Sequence, residues 1–501
     1  MRNRMNQHIM RLVGVVGALT LTGCAVGPDF VRPPLSNSAS YGQAAKKSTT
    51  VASALPGVLS QSVVVGMDVS AVWWQLFESP ELTVLVEEAL RGNPDLEAAK
   101  ASLRQANELL YANRGSLFPS ATVGSSSTRE KIASSEGGPQ LMTVNAASLT
   151  VTYAPDVFGG TLRQIEASVS QAEYERFQLE ATYLTLTANV VNTAINLASI
   201  KEQIDAAQEI IRIQSETLNL TRSRLRLGAV SNADVLAQEA ALAQSRATLP
   251  PLQKQLDQSR SQMTAYLGKL PGEQQAEALK LENLSLPRRL PLSLPSSLVE
   301  QRPDVRAAEA LLHQASANIG VATANQLPQF NLTASIGSNA PRAADLFSAG
   351  TGVWSLVGSV TQSLFDAGTL KHRKQAAIAA YEESAAHYRG TVIGAFQDVS
   401  NALNALQVDA EALEQQVVAE ESARASLQLT QVQYRFGSVS YVNLLNAQQT
   451  YQNTVAARVR AQATRYSDTV ALFQALGGGW WNRSEAASIP PTTSSIATSN
   501  L

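Results

Sequence analysis

The sequence predicts an α+β membrane protein in which β-strands cross the membrane and very long helices extend from them. Three observations predict it. A lipidation leader is followed by no apolar helix, the strand-like segments carry one apolar face, and two stretches of 67 and 68 residues lack any proline. The whole plan is written twice along the chain.

The leader carries Arg2, Arg4 and Arg11, an apolar stretch from Leu12 to Leu21, and then Leu21-Thr22-Gly23-Cys24. This order reads as a secretory signal over residues 1–23 with a lipobox, and Cys24 as the lipid attachment site. Acyl chains on that thiol, at roughly 0.8 kcal/mol per buried CH₂, hold a protein at a membrane surface. Ala25, in place of an aspartate after the cysteine, favours sorting to the outer membrane. Beyond the leader no run of about 18 apolar residues occurs, so spanning falls to strands.

A second copy of the pattern begins 209 residues after the first. Asn93-Pro94-Asp95-Leu96 falls on Arg302-Pro303-Asp304-Val305, and nine of the 27 positions from Asn93 to Pro119 match their counterparts without a gap. At the same offset Arg226-Leu227-Gly228-Ala229-Val230-Ser231 falls on Arg435-Phe436-Gly437-Ser438-Val439-Ser440. A shared register of Pro, Gly and Arg indicates duplication. The expected organisation is a lipid-anchored segment at 24–78, a first half at 79–270, a linker at 271–295 rich in proline from Leu286, a second half at 296–477, and a segment at 478–501 ending in a disordered tail.

Each half opens with a helix of about 20 residues, the second over 302–325. Two strands follow, about 117–128 and 141–158, then 328–338 and 352–366. Gln329-Phe330-Asn331-Leu332-Thr333-Ala334-Ser335-Ile336 alternates strictly, as does Ser148 to Tyr153; such strands have one apolar and one polar side. Long helices are expected over 161–227 and 369–436, each roughly 100 Å if continuous. Ile204, Ile211, Leu218 and Leu225 recur at seven, and Leu406, Leu413, Leu427 and Tyr434 repeat similarly, which is coiled-coil spacing. Gly228 and Gly437 stop these helices, Asn232 or Asp234 caps the next one, and return helices run over 232–267 and 440–476.

Composition excludes several functions. Charged residues are 16% of the chain, 39 Lys+Arg against 41 Asp+Glu, so no nucleic-acid footprint is present. One cysteine rules out a disulfide framework, and His8, His313, His372 and His387 lack metal-ligand spacing. No cofactor, metal or enzymatic motif is expected. Glu87-Glu88 and Glu420-Glu421 read as solvated helix faces.

Four strands cannot close a barrel, and an open edge in lipid is very costly, so several copies must contribute 8, 12 or 16 strands. Such an object is a conduit. Val26-Gly27-Pro28-Asp29-Phe30, Trp74-Gln75-Leu76-Phe77, Gln301-Arg302-Pro303-Asp304, Tyr434-Arg435-Phe436-Gly437 and Leu476-Gly477-Gly478-Gly479-Trp480, with the lipobox, resemble the outer-membrane factor lipoproteins of resistance-nodulation-division efflux systems. The resemblance implies a homotrimer with a 12-stranded barrel, an α-helical periplasmic barrel and an equatorial region. It also implies partnership with a periplasmic adaptor, an inner-membrane pump and outer-membrane lipid.

By position the resemblance places a gate at Asp234, Tyr434, Arg435, Asn443, Asn446 and Gln449. The two asparagines stand where the family has aspartates, which implies a less acidic constriction, while Arg222, Arg224 and Arg226 offer charge from the first half. It places adaptor contacts at Arg226, Gly228, Val230, Ser231, Gly437, Val439 and Ser440. Trp74, Trp480 and Trp481 are expected to pack the equatorial region, and Phe330 and Trp354 to face lipid. Two further readings fit parts of the sequence: the exit duct of a protein-secretion exporter, and an elongated structural lipoprotein without a channel.

Overall fold

A computed structural model describes residues 25–34, 41, 49–133, 139–273 and 279–483. The expected signal peptide at 1–23, the expected lipid attachment site Cys24 and the expected tail from 484 lie outside the described residues. The chain divides into two compact units. The first comprises residues 1–33, 102–175 and 307–389, and the second 34–101, 176–306 and 390–501.

The first unit is built on one antiparallel sheet. Its strands are β2 (Ser120–Ile132), β3 (Gln140–Tyr153), β5 (Gln329–Ala340) and β6 (Gly352–Thr361), in the spatial order β2-β3-β5-β6. Ser120 pairs with Thr152 in the first hairpin, and Gln329 with Thr361 in the second, so residues 209 apart hold the same register. One side of the sheet carries Val123, Leu149, Ile336, Trp354, Leu356 and Val360, all exposed. The opposite side carries Thr122, Thr150, Ser335 and Ser355, with the last two hydroxyls 2.8 Å apart. An apolar face this continuous does not remain in water.

β3 ends at Tyr153, five residues earlier than expected, because Pro155 has no amide hydrogen to donate to the ladder. β2 extends to Ile132, beyond its expected end, because its ladder with β3 continues to Gln140. β6 likewise stops at Thr361, opposite Gln329 where β5 begins.

The segment after residue 24 is fastened to this unit. The Val26 amide donates to the Phe158 carbonyl at 3.0 Å, and buried Arg163 donates to the Val26 carbonyl and to the carboxylates of Asp29 and Glu166. Phe30 stacks on His313 at 4.4 Å, and His313 meets Glu166 at 2.8 Å. Burial raises the Glu166 pKa, but hydrogen bonds from His313 and Arg163 outweigh it and hold the carboxyl below its usual range.

Among its described residues the second unit is mainly helical, with two short strands. β1 (Ser62–Val65) runs parallel to β4 (Arg289–Leu292), and Leu290 and Leu292 are buried. Four residues of the segment expected as a linker thus form a strand. Pro291 is tolerated because this two-stranded sheet consists only of edges. Its core gathers Trp73, Trp74, Phe77, Tyr466 and Phe473, with Trp73 stacked on Phe473 at 5.4 Å. Trp480 donates to the Gln301 carbonyl and Trp481 to Asp68.

The remaining helices are α1 (Pro80–Gly92), α2 (Pro94–Arg114), α3 (Gly160–Arg226), α4 (Asn232–Ala247), α5 (Leu249–Tyr266), α6 (Pro295–Gln301), α7 (Pro303–Ala324), α8 (Thr369–Arg435) and α9 (Tyr441–Ala475). The first return helix, expected unbroken over 232–267, is two helices meeting at Thr248. Pro250 and Pro251 lack amide hydrogens and fit only the first turn of a new helix. The second return helix has no proline and runs unbroken as α9.

Two glycines 209 apart close these returns by the same contact. Gly268 (φ +72°) and Gly477 (φ +89°) follow α5 and α9, and a Cβ there would stand 2.0 Å from the Gly92 oxygen and 2.7 Å from the Gln301 oxygen. Beside them the Asn93 side chain donates to the Tyr266 carbonyl, and that of Arg302 to the Ala475 carbonyl. Gly268→Ala combines left-handed strain with a backbone clash and is expected to cost about 2–4 kcal/mol in denaturant unfolding. Gly66→Ala, also left-handed but facing open space, should cost only about 1–2 kcal/mol. Equal losses would show that the close approach to Gly92 is unimportant.

Candidate functional site at the helix tips

The tips of α3–α4 and α8–α9, both in the second unit, hold the candidate residues. α3 ends in a Schellman turn: the Gly228 amide donates to Leu225 and the Ala229 amide to Arg224. Gly437 and Ser438 repeat it on Tyr434 and Gln433. Both glycines have φ above +70°, which that turn requires.

Ser231, not Asn232, is the N-cap of α4. Its hydroxyl accepts from the Asp234 amide, while the Asp234 carboxylate accepts from the Ser231 amide at 2.9 Å and hydroxyl at 2.8 Å. Asp234 thus completes a capping box. Ser440 begins α9 without such a bond, and Asn443 stands at the position of Asp234.

Arg224 joins the two tips. Its guanidinium lies over the Tyr434 ring at 5.0 Å and donates to the carbonyls of Tyr434 at 3.2 Å and Arg435 at 2.8 Å. A cation there satisfies the Arg435 carbonyl, adds a second donor at the Tyr434 carbonyl that Gly437 already meets, and opposes the dipole of α8. The sequence marked Arg224 only as one of three alternating arginines. Arg222 instead pairs with Glu239 at 2.6 Å, and Arg226 bonds Ser223 on its own helix.

Behind this clasp Tyr434 and Tyr441 are buried with Leu427 and Leu444. The Tyr441 hydroxyl donates to the Gln238 side chain, whose amide nitrogen donates to the Gln214 carbonyl at 3.0 Å. Burial, helped by nearby Tyr434 and Asp234, raises the Tyr441 pKa, so the phenol stays protonated as a donor. Gln238 and Tyr441 were absent from the sequence-based candidates; a polar side chain at a core position was their signal.

Asn443, Asn446 and Gln449 lie exposed on successive turns of α9, with the Gln449 amide donating to Asn453 at 3.0 Å. Arg435, Gly437 and Ser440 are exposed, as are Arg226, Gly228 and Ser231; Val230 and Val439 are half-buried. Among the described residues no three His, Cys, Asp or Glu side chains group closely enough to hold a metal ion. No described helix is long and apolar enough to cross a membrane.

The sequence model of the Outer membrane efflux protein family matches the chain twice, over residues 85–269 and 294–478. The chain belongs to that family. Like other outer membrane efflux proteins it resides in the outer membrane and takes part in efflux across it. It is 32% identical over 418 residues to the pyoverdine export outer membrane protein OpmQ of Pseudomonas putida, covering 81% of this chain and 88% of that one. The toluene efflux pump outer membrane protein TtgC of Pseudomonas putida is 29% identical over 483 residues, covering 94% and 96%. The solved outer-membrane channel OprN superposes with a TM-score of 0.82 at 28% identity, covering 91% of this chain and all of the other.

Proposed function

We propose that the chain is the outer-membrane channel subunit of a tripartite efflux pump, a passive conduit for small molecules delivered by an inner-membrane pump through a periplasmic adaptor. The observation that carries this reading is the four-stranded sheet with an exposed apolar face and a Ser/Thr face opposite. Three copies close such sheets into a 12-stranded barrel, apolar toward lipid and hydroxyl-lined within. The matched registers 209 apart and the two family matches support an internal two-fold repeat. Phe330 and Trp354 then face lipid, and Cys24 carries the lipid anchor.

No step requires a catalytic group of this chain, since the pump supplies the energy. The helix tips form the periplasmic gate, with Asn443, Asn446 and Gln449 at the constriction and Arg224, Tyr434, Tyr441 and Gln238 holding it shut. The exposed turns Arg226–Ser231 and Gly437–Ser440 receive the adaptor.

The test is single-channel conductance of purified protein in a planar bilayer. Arg224→Ala removes a cation–π contact and two hydrogen bonds, about 2–3 kcal/mol in all. The open fraction is expected to rise at least about tenfold. Native mass spectrometry should give three lipidated copies, and deletion of the gene should sensitise cells to small toxic compounds. A single copy without conductance, in wild type and variant alike, would sink the reading.

A further inference from the structure

The sheet of the first unit ends in two edges, β2 and β6, that have no strand beside them among the described residues. In lipid each unpaired backbone group on such an edge is costly, so each must find a strand of another copy. How the two edges align follows from the duplication. The hairpins β2-β3 and β5-β6 have one register, because moving Ser120 and Thr152 by 209 positions gives Gln329 and Thr361, which are themselves partners. The strands between them, β3 and β5, form an inner seam with Thr150 opposite Ser335 and Val151 opposite Ala334.

We propose that the seam between copies repeats this inner seam, so that Ser359 of one copy lies opposite Ser126 of the next. The same shift of 209 that maps β2 onto β5 and β3 onto β6 carries the β3-β5 seam onto β6 and the next copy's β2. Thr150 becomes Ser359 and Ser335 becomes Ser126. Val151 and Ala334 become Val360 and Ser125, and Ala147 and Ser338 become Leu356 and Arg129. Asn145 and Ala340 become Trp354 and Lys131.

The faces agree with this assignment. Val360, Leu356 and Trp354 lie on the apolar side of the sheet, and Ser125, Arg129 and Lys131 lie on that same side through their pairing with Ala147, Thr143 and Leu141. Ser359 and Ser126 both lie on the Ser/Thr side. A slip of one residue would join the apolar side of one copy to the Ser/Thr side of the next, so only even slips compete. The seam also sets the basic side chains of Arg129 and Lys131 beside Leu356 and Trp354, at the strand ends far from the helices. The proposal rests on the reading that several copies close one barrel.

The test is disulfide trapping in intact outer membranes, with the parent chain, whose one cysteine is Cys24, as baseline. Directly opposed strand residues have Cα atoms about 4.5–5.5 Å apart, within disulfide reach, whereas diagonal ones stand about 7–8 Å apart. Ser126→Cys with Ser359→Cys should form reductant-sensitive multimers at least about tenfold faster than Gly124→Cys or Thr128→Cys with Ser359→Cys. An intrachain pair, Ser335→Cys with Ser355→Cys, reports that the oxidant reaches the barrel. Faster trapping by either displaced pair would overturn the register while leaving the shared barrel in place. No multimer from any pair, with the intrachain control formed and one copy in native mass spectrometry, would overturn the shared barrel itself.

Discussion

Glu420→Ala is expected to destabilise the protein by about 3–5 kcal/mol, among the largest losses of any single charged residue in the chain. The Glu420 carboxylate is 5% exposed and receives the Arg458 Nε at 2.7 Å and the Arg424 guanidinium. Arg458 is itself half-buried and also donates to Glu202 at 2.7 Å and Gln462 at 3.0 Å. One carboxylate thus ties α8 to α9, and through Arg458 to α3. Removing it leaves Arg458 with more positive charge than its surroundings balance.

Burial lowers the Arg458 pKa, and the two carboxylates more than reverse this, so the guanidinium cannot escape by losing its proton. Denaturant unfolding of the purified protein measures the loss. Glu420→Leu combined with Arg458→Met should recover much of the stability, because a buried pair can be replaced by apolar side chains more cheaply than it can be broken. A loss below about 1 kcal/mol for Glu420→Ala would mean that the network is hydrated and weak.

The second large effect depends on pH. Asp468 on α9 is 9% exposed, and burial, with the Asp409 carboxylate beside it, pushes its pKa up to about 7 despite the nearby Arg465. The folded state therefore holds a proton that the unfolded chain releases near 3.8. Between those values the folded state binds more protons, so this group's contribution to stability falls as pH rises from about 4 to 7 and is constant above. Three pH units correspond to about 4 kcal/mol.

Asp468→Asn should abolish that component, so the variant gains on the wild type across this window and exceeds it in stability at pH 8. Arg465 contributes no slope there. It is fully buried and donates to the Thr50 hydroxyl at 2.7 Å and to the Leu406 carbonyl, and burial lowers its pKa only to about 10. Parallel stability curves for wild type and Asp468→Asn from pH 4 to 8 would refute the assignment.

Neither of these clusters was legible in the sequence. Glu420-Glu421 reads as a pair of acids on a helix face, and a helix face is solvated unless another element covers it. The partners of Glu420 that decide the matter lie on other turns and other helices, Arg458 being 38 residues away and Arg458's second acid 256. The clasp at the tips has the same character, since Arg224 reaches carbonyls 210 and 211 residues further on. The break between α4 and α5 is different. Pro250-Pro251 was visible in the sequence, and the helical periodicity around it concealed the interruption.

By itself the sequence determined the local elements and their order. Period-two alternation gives β5 its two faces, long stretches without proline give α3 and α8, and glycines at 228, 268, 437 and 477 end helices where a left-handed residue is needed. These are short-range consequences of backbone sterics and side-chain spacing, so they can be read one segment at a time. The tertiary structure decided which charges are buried, which segment lies beside β1, and which arginine joins the tips. Those outcomes depend on dielectric and geometry created when segments hundreds of residues apart meet, and no local pattern encodes them.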